Sequence, residues 1–255
     1  MKAYEQTINL LSTLKLKGAL NRLDDILNDA EHDKASYLRF LNTVCQVEIA
    51  DRNRRRYERS LTGAHFPTLK NLDNFEFNRV KGLAKREVVN LRDCHWIDKH
   101  ENLLFFGPPG IGKTHCAIAL GIDAVEHGYR ACFERMTNLI RLLKTMEIQR
   151  TAGYRMKRIM KADLVIIDEI GYTPIEKREA NLFFNLVTEL YERASLIITS
   201  NKGIDSWAEM MGDTVMTTAL LDRLLHHSRI YNLDGESYRI KNKIDNKEVN
   251  GHSNE

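Results

Sequence analysis

The sequence contains few residues that break or cross-link a chain. It has four prolines and four cysteines in 255 residues, and no low-complexity stretch. The cysteines lack C-x-x-C spacing, so we expect reduced thiols rather than zinc ligands or disulfides. No run of 18 apolar residues occurs, and Lys2, Glu5 and Lys15 interrupt the apolar start. These two absences argue against a membrane span and a secretory signal, and we expect a cytoplasmic protein.

The overall composition is typical of a soluble globular protein, with 43% hydrophobic and 29% charged residues. The length allows one large domain or two smaller ones. A net charge of +3 is too small to indicate a nucleic-acid partner by itself, so the distribution of charge has to decide. Residues 241–255 contain few apolar residues and are predicted to form a disordered tail.

Helical periodicity dominates the first 65 residues. Apolar residues recur at helical spacing in two segments, and the second has one apolar face. That face consists of Tyr37, Leu38, Leu41, Val44 and Cys45. Gly63 and Pro67 are expected to end the second helix. We therefore predict a small all-α domain over residues 1–65, followed by a second domain over residues 66–240.

From about residue 100, short apolar runs alternate with longer amphipathic segments. This alternation is typical of a parallel sheet covered by helices, so the predicted class is α/β with a five-stranded parallel sheet. The predicted strands are residues 103–106, 129–133, 164–167, 196–199 and 229–233. The predicted helices are residues 113–127, 137–151, 176–193 and 217–227. Gly128 follows the first of these helices and is expected to end it.

A phosphate-binding loop follows the first predicted strand of the sheet. The loop consists of Gly107, Pro108, Pro109, Gly110, Ile111, Gly112, Lys113 and Thr114. It satisfies G-x-x-x-x-G-K-[ST] between a strand and a helix, the context that distinguishes the motif from a chance glycine-rich turn. Its N–H groups are expected to bind the phosphates of ATP, with Lys113 at the β- and γ-phosphates and Thr114 on Mg²⁺. His115 continues the nucleotide-binding segment, and we assign it no chemistry.

Two acidic residues end the strand predicted at residues 164–167. Asp168 is expected to bind Mg²⁺, as carboxylates at such strand ends do in P-loop nucleotidases. Glu169 is the candidate general base for an attacking water. Asn201 follows the next strand and would lie beside the γ-phosphate if that strand sits between the other two motif strands. A strand-ending turn is the alternative for Asn201, because Asn and Gly203 favour turns.

The motif series GPPGIGKTH, LVIIDEIGY, LIITSN, LLDRLLHH and GESYRI resembles the IstB family. This family comprises ATP-binding helper proteins of bacterial insertion sequences and is related to bacterial helicase loaders. The resemblance extends from about residue 66 to residue 240 and implies a P-loop AAA+ core. It implies an ATPase that assembles as an oligomer on double-stranded DNA and directs a partner transposase and its target site in transposition.

The same resemblance assigns the ATPase roles to Lys113, Thr114, Asp168, Glu169 and Asn201. It also implies that Arg223 is the arginine finger supplied to a neighbouring subunit. A salt bridge of Arg223 with Asp222 or Glu236 is the alternative. The sequence departs from the AAA+ pattern because only a short segment follows the last strand. We therefore expect a reduced or absent C-terminal lid, for which Arg239 would partly substitute.

A cluster of arginines near the end of the helical domain is the candidate DNA contact. It contains Arg52, Arg54, Arg55, Arg56 and Arg59. Several cations on one surface bind DNA phosphates independently of sequence. A solvated helix face, partly neutralised by Glu48, Asp51 and Glu58, explains the cluster equally well from the residues alone. The family resemblance favours DNA.

A second basic group lies between the second and third predicted strands of the sheet. It contains Arg150, Arg155, Lys157, Arg158 and Lys161. Contact with DNA and simple solvation are equally compatible with this group. His226 and His227 are adjacent on a predicted helix, where neighbouring side chains diverge, so we expect no shared metal site there.

Three other functions share part of this pattern. A helicase loader would have the same core and a different N-terminal partner. A DNA-binding assembly protein would use ATP only as a structural ligand, but the pair Asp168 and Glu169 argues against it, because such a site needs no base. A small-molecule kinase also has a P-loop, but the sequence shows no evident acceptor site.

Overall fold

The computed structural model describes residues 2–73, 75–172 and 174–238. Two compact units divide the chain, one ending at Arg59 and the other beginning at Ser60. The predicted tail 241–255 and Arg239 lie outside the described residues. Across those residues, helices are too short or too polar to cross a membrane.

The first unit is built from helices, as the periodicity predicts. Its elements are α1 (Lys2–Thr13), α2 (Lys17–Asn21), α3 (Leu23–His32) and the first part of α4 (Tyr37–Ala64). The buried carboxylate of Glu48 on α4 accepts hydrogen bonds from the backbone N–H groups of Gly18 (2.7 Å) and Ala19 (3.2 Å). Since these N–H groups belong to the unpaired first turn of α2, the carboxylate caps one helix and ties it to another.

The end of α4 and its first apolar face were only partly defined by the sequence pattern. The helix continues through Gly63 to Ala64, and His65, with φ of 63°, follows its end. The apolar face at its start is exposed, with Tyr37 at 96% and Leu38 at 77% of their accessible surface. The helical period therefore showed which apolar residues share one side of α4, but it did not show that this side is exposed within the unit.

The second unit contains a five-stranded parallel sheet with helices around it and a separate two-stranded sheet. Its strands are β1 (Val80–Lys81), β2 (Asn102–Phe106), β3 (Ala131–Arg135), β4 (Leu164–Ile170), β5 (Ser195–Ser200), β6 (Ser228–Asn232) and β7 (Asp234–Gly235). Its helices, after the last turn of α4, are α5 (Lys85–Leu91), α6 (His95–Asp98), α7 (Lys113–Glu126), α8 (Met136–Thr145), α9 (Arg150–Ile159), α10 (Lys177–Leu190), α11 (Trp207–Met211) and α12 (Thr214–His226). The short strands β1 and β7 pair antiparallel in a separate two-stranded sheet.

The main sheet has the strand order β3-β4-β5-β2-β6, and all its pairs are parallel. Every residue of β2 and β5 is buried, as expected for strands covered on both faces. Because β5 lies between β2 and β4, the strand ahead of Asn201 separates the two motif strands, as the Asn201 hypothesis required. The five predicted strands are all present, although the second begins at Ala131 rather than residue 129.

The predicted single helix over residues 137–151 is wrong. Helix α8 ends at Thr145 and α9 begins at Arg150. Arg155 on α9 has only 9% of its side chain exposed and forms an ion pair with Glu134 of β3 at 2.5 Å. Its guanidinium also donates hydrogen bonds to the carbonyls of Gly63 (2.8 Å) and Phe133 (2.9 Å). These contacts hold α9 against β3 and the end of α4, and they remove Arg155 from the basic group proposed to face DNA.

The expectation that His226 and His227 diverge is also wrong. Helix α12 ends at His226, and His227 has φ of −126° and ψ of 70°, outside the helical region. The two rings therefore come together, with centroids 4.1 Å apart. The helical rule for adjacent residues fails here because the backbone leaves the helix between them.

The cysteines are all free, as the spacing predicts. Cys94, Cys116 and Cys132 are buried, whereas Cys45 is exposed. Burial raises the pKa of the Cys94 thiol to about 12 and also raises that of Cys116. Because a thiol rather than a thiolate is then present at neutral pH, these residues are packed rather than reactive.

Candidate functional site

The phosphate-binding loop leaves β2 at Phe106 and enters α7 at Lys113. Gly112 has φ of +101°, and a Cβ at this position would lie 2.6 Å from a ring carbon of Phe75. Only glycine fits both the left-handed backbone and this close approach. The loop therefore delivers the N-terminus of a 14-residue helix to the cleft, where unpaired N–H groups favour an anion.

The side chain of Lys113 lies against the start of the phosphate-binding loop. Its ammonium donates hydrogen bonds to the carbonyls of Gly107 (2.7 Å) and Pro108 (2.8 Å), and only 8% of the residue is exposed. The backbone thus holds the ammonium over the loop, the region where the β- and γ-phosphates of a bound ATP would lie.

Asp168 is fully buried at the end of β4. One carboxylate oxygen accepts hydrogen bonds from the hydroxyls of Thr114 (2.7 Å) and Thr199 (2.6 Å). The other oxygen, Oδ2, is buried without a hydrogen-bond partner within the described residues. A buried carboxylate oxygen without a partner is costly unless a cation completes it.

These donors fit Mg²⁺, which prefers oxygen ligands and usually takes one or two carboxylates together with phosphate oxygens. The Asp168 carboxylate and the Thr114 hydroxyl are the residues that would hold it. Thr199 is a residue that sequence reasoning missed. It comes two residues before Asn201 in the segment LIITSN, and a hydroxyl residue directly after the apolar run Leu196–Ile198 was the available signal.

Glu169 has a different environment from its neighbour. Its φ is +64°, and the pairing of β4 with β5 is irregular between Ile167 and Ile170. The backbone N–H of Glu169 donates to the Thr199 hydroxyl at 3.0 Å. This irregularity turns the Glu169 side chain into the cleft, where it is half-buried.

Arg135, at the end of β3, lies beside Glu169. Its Nε is 3.6 Å from a carboxylate oxygen of Glu169. Sequence reasoning missed Arg135 because it is 34 positions earlier and belongs to no motif. Its position at the same carboxyl edge of the sheet, two residues after a predicted strand, was the signal that could have identified it.

Asn201 follows β5 and lies in the same cleft. Its Oδ1 is buried without a hydrogen-bond partner among the described residues, and it lies close to Gly171. The structure therefore brings Asn201 together with Lys113, Thr114 and Glu169 around one open cleft of about 550 Å³.

Aromatic residues outside the motifs form the other side of this cleft. Phe75 packs edge-to-face on His115, with ring centroids 5.4 Å apart, and His115 hydrogen-bonds through Nε2 to the carbonyl of Asn71 at 2.7 Å. The backbone N–H of Tyr238 donates to the carbonyl of Gly110 at 3.0 Å. His115 is thus a packing residue of the cleft wall, and Phe75 and Tyr238 are additions that the sequence analysis did not identify.

Arg223 lies at the other edge of the sheet, away from the phosphate-binding loop of its own chain. It lines a small hollow together with Asn102, the first residue of β2, whose side chain donates to the carbonyl of Leu224 at 3.0 Å. Its guanidinium donates to the carbonyl of Ala219 at 2.9 Å and lies 5.0 Å from the centre of the Phe184 ring. It is therefore not brought together with the other predicted site residues of the same chain.

The arginine cluster of the first unit lies on α4 among acidic residues. Arg54 pairs with Asp51 (2.7 Å) and Glu58 (3.1 Å). Arg52 pairs with Glu48 at 2.6 Å, and Arg55 pairs with Asp51 at 2.7 Å. The remaining members are Arg56 and Arg59, whose side chains are exposed. Acidic side chains of the same helix thus partly neutralise three arginines of the cluster, as the solvated-face alternative expects.

Comparison with known families gives one match over most of the chain. Residues 9–246 match the model of the IstB-like ATP binding protein family. Over 234 residues the chain is 41% identical to a protein of insertion sequence IS21 from Pseudomonas aeruginosa that is named for ATP binding, covering 92% of this chain and 88% of that one. A similarly named IS5376 protein from Geobacillus stearothermophilus is 38% identical over 208 residues, covering 82% and 83%.

Solved structures share the architecture of the second unit. The chain is similar to DnaI with a TM-score of 0.56 and 16% identity, covering 65% of this chain and 91% of that one. The DnaC helicase loader gives a TM-score of 0.52 and 19% identity, covering 64% of this chain and 96% of that one. DnaA from Aquifex aeolicus bound to AMPPCP gives a TM-score of 0.50 and 19% identity, covering 72% of this chain and 55% of that one. These likenesses establish the AAA+ P-loop fold predicted from the sequence.

The two hydrogen bonds of Thr199 give a testable expectation. Thr199→Val keeps the shape of the side chain but removes the hydroxyl that fixes Asp168 and the backbone of Glu169. We expect Mg²⁺ to bind the nucleotide-loaded protein about 10-fold more weakly, since outer partners of metal ligands commonly contribute this much. Titration of Mg²⁺ into protein loaded with a non-hydrolysable ATP analogue measures it.

The matched control is Thr218→Val, because Thr218 is exposed on α12 and its hydroxyl bonds only to the helix carbonyl of Thr214. An equal loss in both variants, or none in Thr199→Val, would show that Thr199 does not orient Asp168.

Proposed function

Because the chain belongs to the IstB-like ATP binding protein family, we propose that it is a Mg²⁺-dependent ATPase that assembles on double-stranded DNA. In this proposal it assists the transposase of an insertion sequence in transposition and target selection. The relatives named for insertion sequences support the transposition context. A cytoplasmic location goes with this function.

One observation carries the ATPase proposal. A single buried carboxylate, Asp168, is fixed by Thr114 of the phosphate-binding loop and Thr199 of the neighbouring strand, while its second oxygen has no hydrogen-bond partner in the part of the chain that the structure describes. Glu169, the next residue, opens into the same cleft as the loop. A metal-binding acid and a half-buried carboxylate that faces the cleft beside Arg135 are thus placed side by side at the phosphate end of the cleft, which is the arrangement that phosphoryl transfer to water requires.

The chain's own residues divide the hydrolysis between them. Lys113 and the loop N–H groups bind the phosphates of ATP and hold the γ-phosphate in place. Glu169 accepts a proton from a water molecule as its oxygen bonds to the γ-phosphorus, and the bond from that phosphorus to the bridging oxygen breaks, leaving ADP and phosphate. Asn201 positions the water or contacts the γ-phosphate. When bound, Mg²⁺ neutralises the charge that develops on the phosphate oxygens.

Substitutions of Lys113 and Glu169 should impair different steps, ATP binding in the first case and hydrolysis in the second. Lys113→Ala removes the ammonium held over the loop, so we expect tight ATP binding to be lost. Glu169→Gln keeps the shape but cannot accept a proton, so binding should persist while turnover falls by about 10²- to 10⁴-fold. Calorimetry with ATP and a phosphate-release assay measure the two effects.

For this pair the control is Glu209→Gln, an exposed position on α11. Normal turnover in Glu169→Gln would exclude Glu169 as the base, and unchanged ATP affinity in Lys113→Ala would exclude the phosphate role of Lys113.

The DNA part of the proposal is supported by the positions of the arginines around α4. Between residues 48 and 59 there are five arginines and three acids, a net charge of +2. At about 100° per residue, Arg52, Arg55, Arg56 and Arg59 fall within an arc of about 100°. Arg54 falls outside this arc, beside Asp51 and Glu58, with which it pairs. Glu48 also falls within this arc and pairs with Arg52. The stripe along this side of the helix therefore holds four arginines and one carboxylate and keeps the net positive charge that phosphate binding needs.

Arg56 and Arg59 are the best members of this stripe to test, since both are exposed. The double variant Arg56→Ala/Arg59→Ala should weaken binding similarly for unrelated duplexes. It should also reduce the slope of log affinity against log salt by about two units, close to one for each phosphate contact. Fluorescence anisotropy with labelled duplexes at several salt concentrations measures both.

Arg54→Ala is the control for loss of a positive charge from the acidic side of the helix, and it should leave the salt slope close to that of the parent. Equal slopes for the parent and the double variant would identify the stripe as a solvated face only.

The oligomer part of the proposal rests on the place of Arg223. The phosphate-binding loop follows the last residue of β2, whereas Arg223 lies beside the first residue of that strand, Asn102. The five extended residues of β2 separate the two positions by about 13 Å. Arg223 therefore cannot reach the γ-phosphate bound by its own loop. A guanidinium stabilises the charge of phosphoryl transfer, and we propose that Arg223 supplies it to the site of a neighbouring copy.

Mixing experiments test this arrangement directly. Arg223→Ala protein should bind ATP normally and lose at least about 10³-fold in turnover. Mixed with Lys113→Ala protein, it should regain activity, because intact loops of one variant then meet intact arginines of the other. Phosphate release is measured against the mixing ratio.

Arg229→Ala is the control, since Arg229 lies at the same edge of the sheet and pairs with Glu101 at 2.6 Å. Full activity of Arg223→Ala alone, or activity per chain that stays constant on dilution to the monomer, would rule out a finger acting between subunits.

A further inference from the structure

The ends of helices α10 and α12 meet at a cluster of ligand-type side chains that the proposed ATPase does not use. Among the described residues, Glu192, His226 and His227 form the group whose ligand atoms all lie within 4.8 Å of one another. Glu192 follows α10 and has a left-handed backbone, with φ of 54°. All three side chains are exposed, so they can rotate without disturbing the core.

Two backbone irregularities build this cluster. Because His227 leaves the helical conformation at the end of α12, its ring meets that of His226 at 4.1 Å between centroids. The left-handed backbone of Glu192 turns its carboxylate towards the same pair. A non-glycine residue in this conformation is uncommon and costs energy, so a compensating interaction is expected nearby.

A hydrogen bond fixes one of the rings. The hydroxyl of Tyr191 lies 2.8 Å from Nδ1 of His226. When Nδ1–H donates to the Tyr191 oxygen, the lone pair of the imidazole is on Nε2 and is available to a metal ion. Histidine ligands of metals characteristically have their second nitrogen held in this way.

We propose that Glu192, His226 and His227 bind a divalent transition-metal ion, with zinc as the best match. Two imidazoles and one carboxylate are a donor set that suits Zn²⁺, whereas Mg²⁺ and Ca²⁺ prefer oxygen ligands throughout. Tetrahedral Zn²⁺ with ligands at about 2.0–2.1 Å needs ligand atoms about 3.3 Å apart. Rotation of the three exposed side chains closes the remaining distance of about 1.5 Å.

Two groups at this location favour a cation, and the guanidinium of Arg223, which lines the same hollow as Glu192 and His227, opposes it. His226 is the last residue of α12, and the unpaired carbonyls at a helix C-terminus carry partial negative charge. The Glu192 carboxylate adds a full negative charge. A fourth ligand position is left for water.

A bound ion would join the end of α10 to the end of α12. Arg223 lies four residues before His227 on α12, one helical turn away, and its guanidinium already rests on the Phe184 ring of α10. The ion would therefore fix the part of α12 that carries Arg223. This consequence rests on the proposed role of Arg223, whereas the metal site itself does not.

The test uses the full chain, stripped of metal with a chelator and free of nucleotide. Cys45 is an exposed thiol and is replaced by Ser throughout to remove an unrelated zinc ligand. Calorimetric titration with ZnCl₂ should give one zinc per chain, and titration with MgCl₂ should give no heat at this cluster. Zinc should also raise the unfolding temperature, because a ligand that binds only the folded state stabilises it.

The variants His226→Ala, His227→Ala and Glu192→Gln should each weaken zinc binding by at least about 10-fold, and Tyr191→Phe by about 10-fold through loss of the ring's partner. Glu192→Gln keeps the size of the side chain and leaves both histidines in place, so it remains informative if a histidine variant folds poorly. His95→Ala is the matched control, because His95 is an exposed histidine beside a carboxylate, Asp98, at 3.8 Å.

Three results would overturn the proposal: no zinc binding to the Cys45→Ser protein, binding that persists in both histidine variants, or an equal loss in His95→Ala. The second of these would identify an adventitious ion only. Because none of these measurements involves ATP, their failure is distinct from failure of the proposed ATPase.

Discussion

The candidate site depends on the hydrogen bonds that one oxygen of Asp168 accepts. Thr114 in the first turn of α7 and Thr199 near the end of β5 both donate to it, at 2.7 Å and 2.6 Å. Three separate elements are thereby fixed around one buried negative charge. Since such a charge is stable in the interior only when it is compensated, the same arrangement leaves the second oxygen of Asp168 as the natural ligand of a cation.

The strand order makes this arrangement possible. With β5 between β2 and β4, the end of β5 is adjacent both to the strand that leads into the loop and to the strand that carries Asp168. The Thr199 hydroxyl can then donate to Asp168 and also accept from the backbone of Glu169. The two acids acquire different environments although they are neighbours: one is enclosed and fixed, and the other faces the cleft beside Arg135. Ligands of parallel α/β sheets bind at this carboxyl edge for the same topological reason.

The elements that the sequence predicted well are those whose signals are local. Continuous apolar runs identified all five strands of the main sheet, and the loop motif together with the two acids near the end of β4 identified the cleft. The single helix predicted over residues 137–151 was wrong because the chain breaks between α8 and α9, and the contacts that hold α9, those of Arg155 with Glu134 and with the carbonyl of Gly63, join residues distant in sequence. Arg135 and Phe75 were missed for the same reason, since only the folded sheet brings them to the cleft.

The pairing of His226 with His227 shows a different limit. Helical geometry correctly says that neighbours on a helix diverge, but the rule requires both residues to be helical, and the sequence does not show that α12 stops between them. Boundaries are the least certain part of a pattern-based assignment. A one-residue change in where the helix ends converts two separate histidines into a facing pair.

The two edges of the main sheet have different chemistry, and this difference constrains any assembly. The carboxyl edge holds the loop, Asp168 and Glu169, while the amino edge holds Arg223 and the histidine pair. If Arg223 of one copy serves the loop of the next, two unlike surfaces meet, which is a heterologous contact. Heterologous contacts close into rings or continue as helical filaments, and they do not form symmetric dimers. In an open filament one terminal subunit presents a loop without a neighbouring arginine, so its site would remain incomplete until another copy is added.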